Sequence, residues 1–111
     1  MNAFTLIKIF NMTNTTDINI DDETIARVGL IPADEPINTQ LSPAARVFKY
    51  PHLDRVYIME SDLYGNIMPK DSCFLAYYGR NGLMGQHLKI ETLRNSGVED
   101  IKALVRKNAQ G

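Results

Sequence analysis

The chain reads as an α+β domain, and three features lead to that class. Residues 56–59 and 73–78 are short strand-like runs, apolar on both parities, and residues 87–91 alternate strictly after them. Between the runs stand Asp62-Leu63-Tyr64-Gly65-Asn66 and Gly79-Arg80-Asn81-Gly82, both rich in residues that favour turns. Downstream, Ser96-Gly97-Val98-Glu99 matches the capping-box pattern, and Val98, Ile101, Leu104 and Val105 recur at helical spacing. Together these predict an antiparallel β-meander of about four strands with a C-terminal helix over roughly 97–107 laid across one face.

The remaining elements follow in chain order. Residues 3–12 are β-branched and aromatic with apolar groups on both parities, as expected of a central strand covered on both sides. Small polar residues from Asn11 to Asp17 break that run, and residues 18–20 suit a short edge strand. Asp22 opens a brief helix over 22–28 that Gly29 stops. Pro32 and Pro36 make 30–41 a loop, because proline removes a donor and biases its predecessor away from helix. Ser42-Pro43 is a helix start and Pro51 a stop, which predicts a second short helix over 43–49. Asn81-Gly82 is a strong two-residue hairpin signal, since both residue types accept positive φ. For the stretch after it the spacing fits either a strand over 87–91, with Leu88 and Ile90 inward and His87, Lys89 and Glu91 outward, or a helix over 86–94.

A length of 111 residues fits one domain spanning 1–111, and 44% apolar with 23% charged residues is globular composition. A net charge of −1 excludes a strongly acidic or basic field, although residues 1–35 carry six acids against two bases and residues 36–111 carry ten bases against seven acids. Cys73 is the single cysteine, so no internal disulfide can form and a reducing compartment fits. The start lacks a signal-like apolar core, and no run approaches the roughly 20 apolar residues needed to span a bilayer. The expectation is a cytoplasmic protein that does not enter a membrane.

Each chemical constellation has a simpler account. Asp17-x-Asn19-x-Asp21 copies the first ligand positions of a calcium loop, but Asp22 stands where glycine is needed and Val28 where the bidentate glutamate belongs. Cys73 with His52 or His87 would be a nucleophile and base only with an exposed sulfur, and Cys73 opens a densely apolar run. The two histidines and one cysteine lack zinc spacing. Glu60 and Asp62 flank a turn, where acids are common, and Gly79-x-x-Gly82-x-x-Gly85 is better explained by hairpin geometry than as a phosphate loop. No cofactor and no metal are expected.

The candidate binding surface is the hairpin tip, where Tyr77, Tyr78, Arg80 and Asn81 crowd together with Tyr57 and Tyr64 nearby, because tyrosine and arginine are enriched where proteins meet. With two strands apolar on both sides and one helix to cover them, a partner would supply the missing layer. The expected function is a non-enzymatic protein–protein interaction module that engages another protein, or a copy of itself as a dimer, through a sheet face and the 77–82 tip. Three alternatives stand behind it. One is a nucleic-acid binder using Arg80, Lys70, Lys102, Arg106 and Lys107 on phosphates with Tyr77 or Tyr78 stacking on a base. The others are a self-assembling structural subunit and, last, a small enzyme built on Cys73 and a histidine.

Overall fold

A computed structural model describes residues 19–34, 37, 41 and 45–110 of the chain. The strand expected over 3–12 lies outside the described residues, as does most of the segment that would start a helix at Ser42-Pro43.

Helix α1 (Asp22–Val28) forms over the expected range. Asp21 is its N-cap, its carboxylate accepting from the Thr24 N–H at 2.9 Å. Gly29 ends the helix in the left-handed conformation (φ 81°), donating to the Ile25 carbonyl. The expected edge strand over 18–20 does not form at its described residues. Asn19 and Ile20 are a buried bend instead.

Five strands follow in a single antiparallel meander whose spatial order is the chain order: β1 (Ile31–Pro32), β2 (Val47–Lys49), β3 (Val56–Met59), β4 (Ser72–Gly79) and β5 (Gly82–Lys89). The fold is thus α+β as expected, with one strand more. Two corrections account for the addition. Ile31 and Pro32, inside the expected loop, pair with Lys49 and Phe48, and Pro32 is tolerated there because β1 is an edge of the described sheet. Residues 47–49 are strand rather than the end of a helix over 43–49. Phe48 is buried opposite Ile58, and two turns of local helix preference cannot compete with that pairing.

At the far end of the sheet neither alternative for residues 86–94 holds over its full range, because strand gives way to helix at Ile90. β5 runs to Lys89, and helix α2 (Ile90–Asn95) begins at the next residue. Leu88 and Ile90 are both buried, the first from the strand and the second from the helix, so the inward positions are as expected. Helix α3 (Val98–Gln110) then closes the chain and packs on β4. Its capping box does not form. The Ser96 hydroxyl donates backwards to the Thr92 carbonyl at 2.7 Å, and the Gly97 N–H is instead taken by the Asp100 carboxylate at 2.8 Å. Ile101 is buried and Leu104 and Val105 pack on the core, whereas Val98, expected in the same apolar stripe, is exposed.

Alternation divides β3 and β4 between two cores. Val56, Ile58, Cys73, Leu75 and Tyr77 join Phe48 and Leu88 on one face, under Ile90, Leu93 and Ile101 from α2 and α3. Tyr57, Met59, Phe74 and Ala76 form the second cluster on the other face, with Met68, Leu63, Ile37 and Leu83 packed around them. Both faces of the central strands are therefore buried within one chain. The inference that a partner must cover one of them loses its basis.

The 60–71 connection is fastened from within. Burial pushes the Glu60 carboxyl up, but two bonds from Arg46, at 2.9 and 2.8 Å, and one from the Ile20 N–H at 3.1 Å outweigh it and hold it below the usual range. Arg46 also donates to the Ile20 carbonyl at 2.6 Å, so this fork ties the start of the described chain to the ends of β2 and β3.

Candidate partner-binding edge

The β4–β5 hairpin places the predicted tip. Gly79 pairs with Gly82, which leaves Arg80 and Asn81 as the turn residues rather than Asn81 and Gly82. The positive φ falls on Gly82 (114°), while neither Arg80 nor Asn81 adopts one. Both turn side chains are exposed.

The tyrosines are distributed differently from the sequence expectation. Tyr77 is 2% exposed in the helix-covered core and Tyr57 is 4% exposed in the opposite one, so neither offers a ring to a ligand. Tyr78 is half-buried, and the Arg55 guanidinium lies 3.9 Å from its ring centroid. Arg55 holds that position from a left-handed backbone (φ 60°), which costs a side-chain-bearing residue about 1 kcal/mol. Tyr64 is 83% exposed. It sits in a turn fixed by Asp62, whose carboxylate accepts from the Tyr64 and Asn66 N–H groups at 2.9 Å each and from the Asn66 amide at 3.1 Å.

Two shallow grooves join the tip to Tyr64. One, of about 250 Å³, lies between Arg80, Asn81 and the end of α3 at Asn108 and Ala109. The other, of about 420 Å³, runs between the Asp62–Tyr64 turn and β5 beside Phe74. Leu83 and Met84 line both, so the surface is continuous along the last strand of the sheet. β5 is the last strand of the described sheet, and no described strand pairs with its outer edge. Gly85 makes the strip flat. A Cβ there would run into the Leu75 carbonyl oxygen and the Phe74 ring.

Of the residues singled out from the sequence, Arg80, Asn81 and Tyr64 are exposed and Tyr78 is half-buried, while Leu83, Met84 and Arg55, which the sequence reading did not single out, lie beside them. The adjacent Leu83 and Met84, in the otherwise small and polar stretch 79–87, were a usable signal. Arg55 gave none, because its contact with Tyr78 exists only through the β3–β4 register.

The other constellations have structural occupations. Cys73 is fully buried, and burial pushes its thiol up to about 12, aided by the nearby Glu60 charge. His52 is exposed on a turn, and His87 stands edge-on to Phe74 with ring centroids 5.7 Å apart. Asn19 donates to the Met68 and Ser72 carbonyls at 3.0 and 3.2 Å, and Asp21 is engaged by Thr24 and by Arg94 at 2.8 Å, while Asp17 lies outside the described residues. Among the described residues no group of three His, Cys, Asp or Glu side chains could hold a metal ion. A polar cleft of about 530 Å³ at the opposite end of the sheet is lined by two ion pairs, Lys89 with Asp71 and Arg94 with Asp21, both at 2.8 Å, together with Lys70 and Glu91. No described helix is long and apolar enough to cross a membrane.

Compared with known proteins, the chain matches no family model, no curated protein and no solved structure.

Proposed function

We propose that this chain is a non-enzymatic interaction module that binds another protein along the β5 edge and the Arg80–Asn81 tip. The observation that carries the proposal is the continuous strip from that tip through Leu83 and Met84 to Tyr64, on a strand with no described neighbour. A partner's extended segment can add to such an edge through main-chain hydrogen bonds while its side chains settle in the flanking grooves. With both sheet faces buried, the edge replaces the sheet face as the contact surface. The lone, buried Cys73 fits a reducing, cytoplasmic setting.

A nucleic-acid reading keeps some support because Arg80 and the exposed Arg106 and Lys107 belong to the same end of the molecule. It loses Lys102, paired with Glu99 at 3.4 Å, and Lys70, which lines the cleft at the far end. Affinity purification from native lysate, with and without nuclease, separates the two. The module reading expects a partner that survives nuclease and is lost by a Met84→Glu variant whose circular dichroism matches the parent. A partner retained by that variant, or released by nuclease, overturns it.

A further inference from the structure

We propose that Asn81, at the tip of the β4–β5 hairpin, is a self-modifying site whose side-chain amide becomes a carboxylate by attack of the Gly82 backbone nitrogen, with water as the only co-reactant. The proposal does not rest on the interaction-module reading. Asn81 is the only asparagine of the chain followed by glycine. Glycine matters there because a side chain on the following residue crowds the attacking nitrogen, a β-branched one most of all. Around Gly82 the space is open, with no heavy atom beyond its chain neighbours within 4 Å of where a Cβ would stand.

The fold leaves this asparagine free and holds the other described ones. Asn81 is exposed, and its side chain makes no hydrogen bond with a described residue. Asn66 donates its amide to the Asp62 carboxylate at 3.1 Å, and Asn108 donates to the Gln86 side chain. Asn19 is buried against the Met68 and Ser72 carbonyls at 3.0 and 3.2 Å. Asn95 is fixed as the last residue of α2. Isoleucine follows Asn19 and Asn66, serine follows Asn95, and alanine follows Asn108.

The reaction begins when the Gly82 N–H gives its proton to solvent, a loss favoured by the neighbouring Arg80 charge. The nitrogen then bonds to the Asn81 side-chain carbonyl carbon. The bond from that carbon to the amide nitrogen breaks, and ammonia departs with a solvent proton, leaving a cyclic succinimide. Water opens the ring at either carbonyl, which gives an aspartyl residue or an isoaspartyl one whose main chain runs through the former side chain. In sum a water is consumed, an ammonia is released, and nothing is oxidised or reduced. Attack requires the Gly79–Gly82 pair to part, and that pair is the terminal rung of the ladder, so its opening disturbs no other pair. The product places a carboxylate beside Arg80, and the isoaspartyl form adds a backbone carbon to a two-residue turn whose closing pair depends on its length.

The test incubates the full chain in warm, mildly alkaline buffer, native or unfolded in guanidinium chloride. Mass spectrometry then follows residues 71–89, released by a lysine-specific protease, in which Asn81 is the only asparagine. The native chain should show the amide-to-acid mass change in this fragment at least about tenfold faster than at any other described asparagine, and within about tenfold of the unfolded rate. Chromatography should resolve the product into aspartyl and isoaspartyl forms. Asn81→Gln, whose longer side chain does not form that ring, should yield no isoaspartyl product while its circular dichroism matches the parent. A native rate more than about tenfold below the unfolded one shows that the terminal rung protects the bond and overturns the proposal. Conversion without an isoaspartyl form, or equally fast conversion of another described asparagine, overturns it as well.

Discussion

Tyr50 carries the least satisfied polar atom in the described core. Its hydroxyl is buried with no hydrogen-bond partner, and burial with the nearby Cys73 raises its pKa, so the group stays neutral. Tyr50→Phe should therefore stabilise the protein by about 1 kcal/mol in urea unfolding, since an unpaired buried hydroxyl costs more than its packing returns. The neighbouring Cys73 should resist iodoacetamide under native conditions and react only on unfolding, because its thiol is both occluded and held far from ionisation. Rapid native alkylation would return the Cys/His enzyme to consideration. Glu60 behaves oppositely. Its folded-state pKa lies below the usual 4.5, so its contribution to stability is present above that value and is lost as pH falls through the depressed one. Glu60→Gln should cost about 1–3 kcal/mol near pH 7, intermediate between an exposed and a buried pair, and should flatten the acid limb of the stability profile.

At the scale of elements, the hairpin shows how far local signals reach. Its first strand and its turn were legible because an apolar, aromatic run precedes a glycine-rich tetrapeptide, yet the turn centre moved by one residue when Gly79 paired with Gly82, and the second strand, expected over 87–91, starts already at Gly82. At Gly85, the third of the spaced glycines, the Phe74 ring lies close over the backbone, and Gly85→Ala should cost about 1–3 kcal/mol of thermal stability by forcing that ring aside. An unchanged melting temperature would show the ring to be loosely held. Elsewhere, tertiary pairing overrode propensity. Residues 47–49 carry helix-compatible neighbours, but Phe48 finds a buried place only as a strand opposite Ile58. The helical start of α3 failed differently, since the Ser96 hydroxyl had a competing acceptor in the preceding turn.

For the whole molecule the governing fact is that the central strands are buried on both faces by one chain. The core itself therefore makes no demand for a second copy, and light scattering over a concentration series should report a monomer; a concentration-dependent dimer would favour the self-assembling alternative. What the described sheet leaves without a described neighbour is an edge, and edges are invisible to residue periodicity. Periodicity distinguishes the two faces of a strand but carries no information on which strand is last in the sheet.

The amino-acid sequence determined the class of fold, the meander, α1 and its glycine stop, and the inward positions of Leu88, Ile90 and Ile101, because each follows from side-chain period or capping chemistry within a few residues. Tertiary structure alone decided that Tyr57 and Tyr77 leave the surface, that Arg55 meets Tyr78, that residues 47–49 become strand, and that β5 ends the described sheet. Those outcomes depend on register and strand order, which are set by contacts between residues far apart in the chain and so leave no local trace.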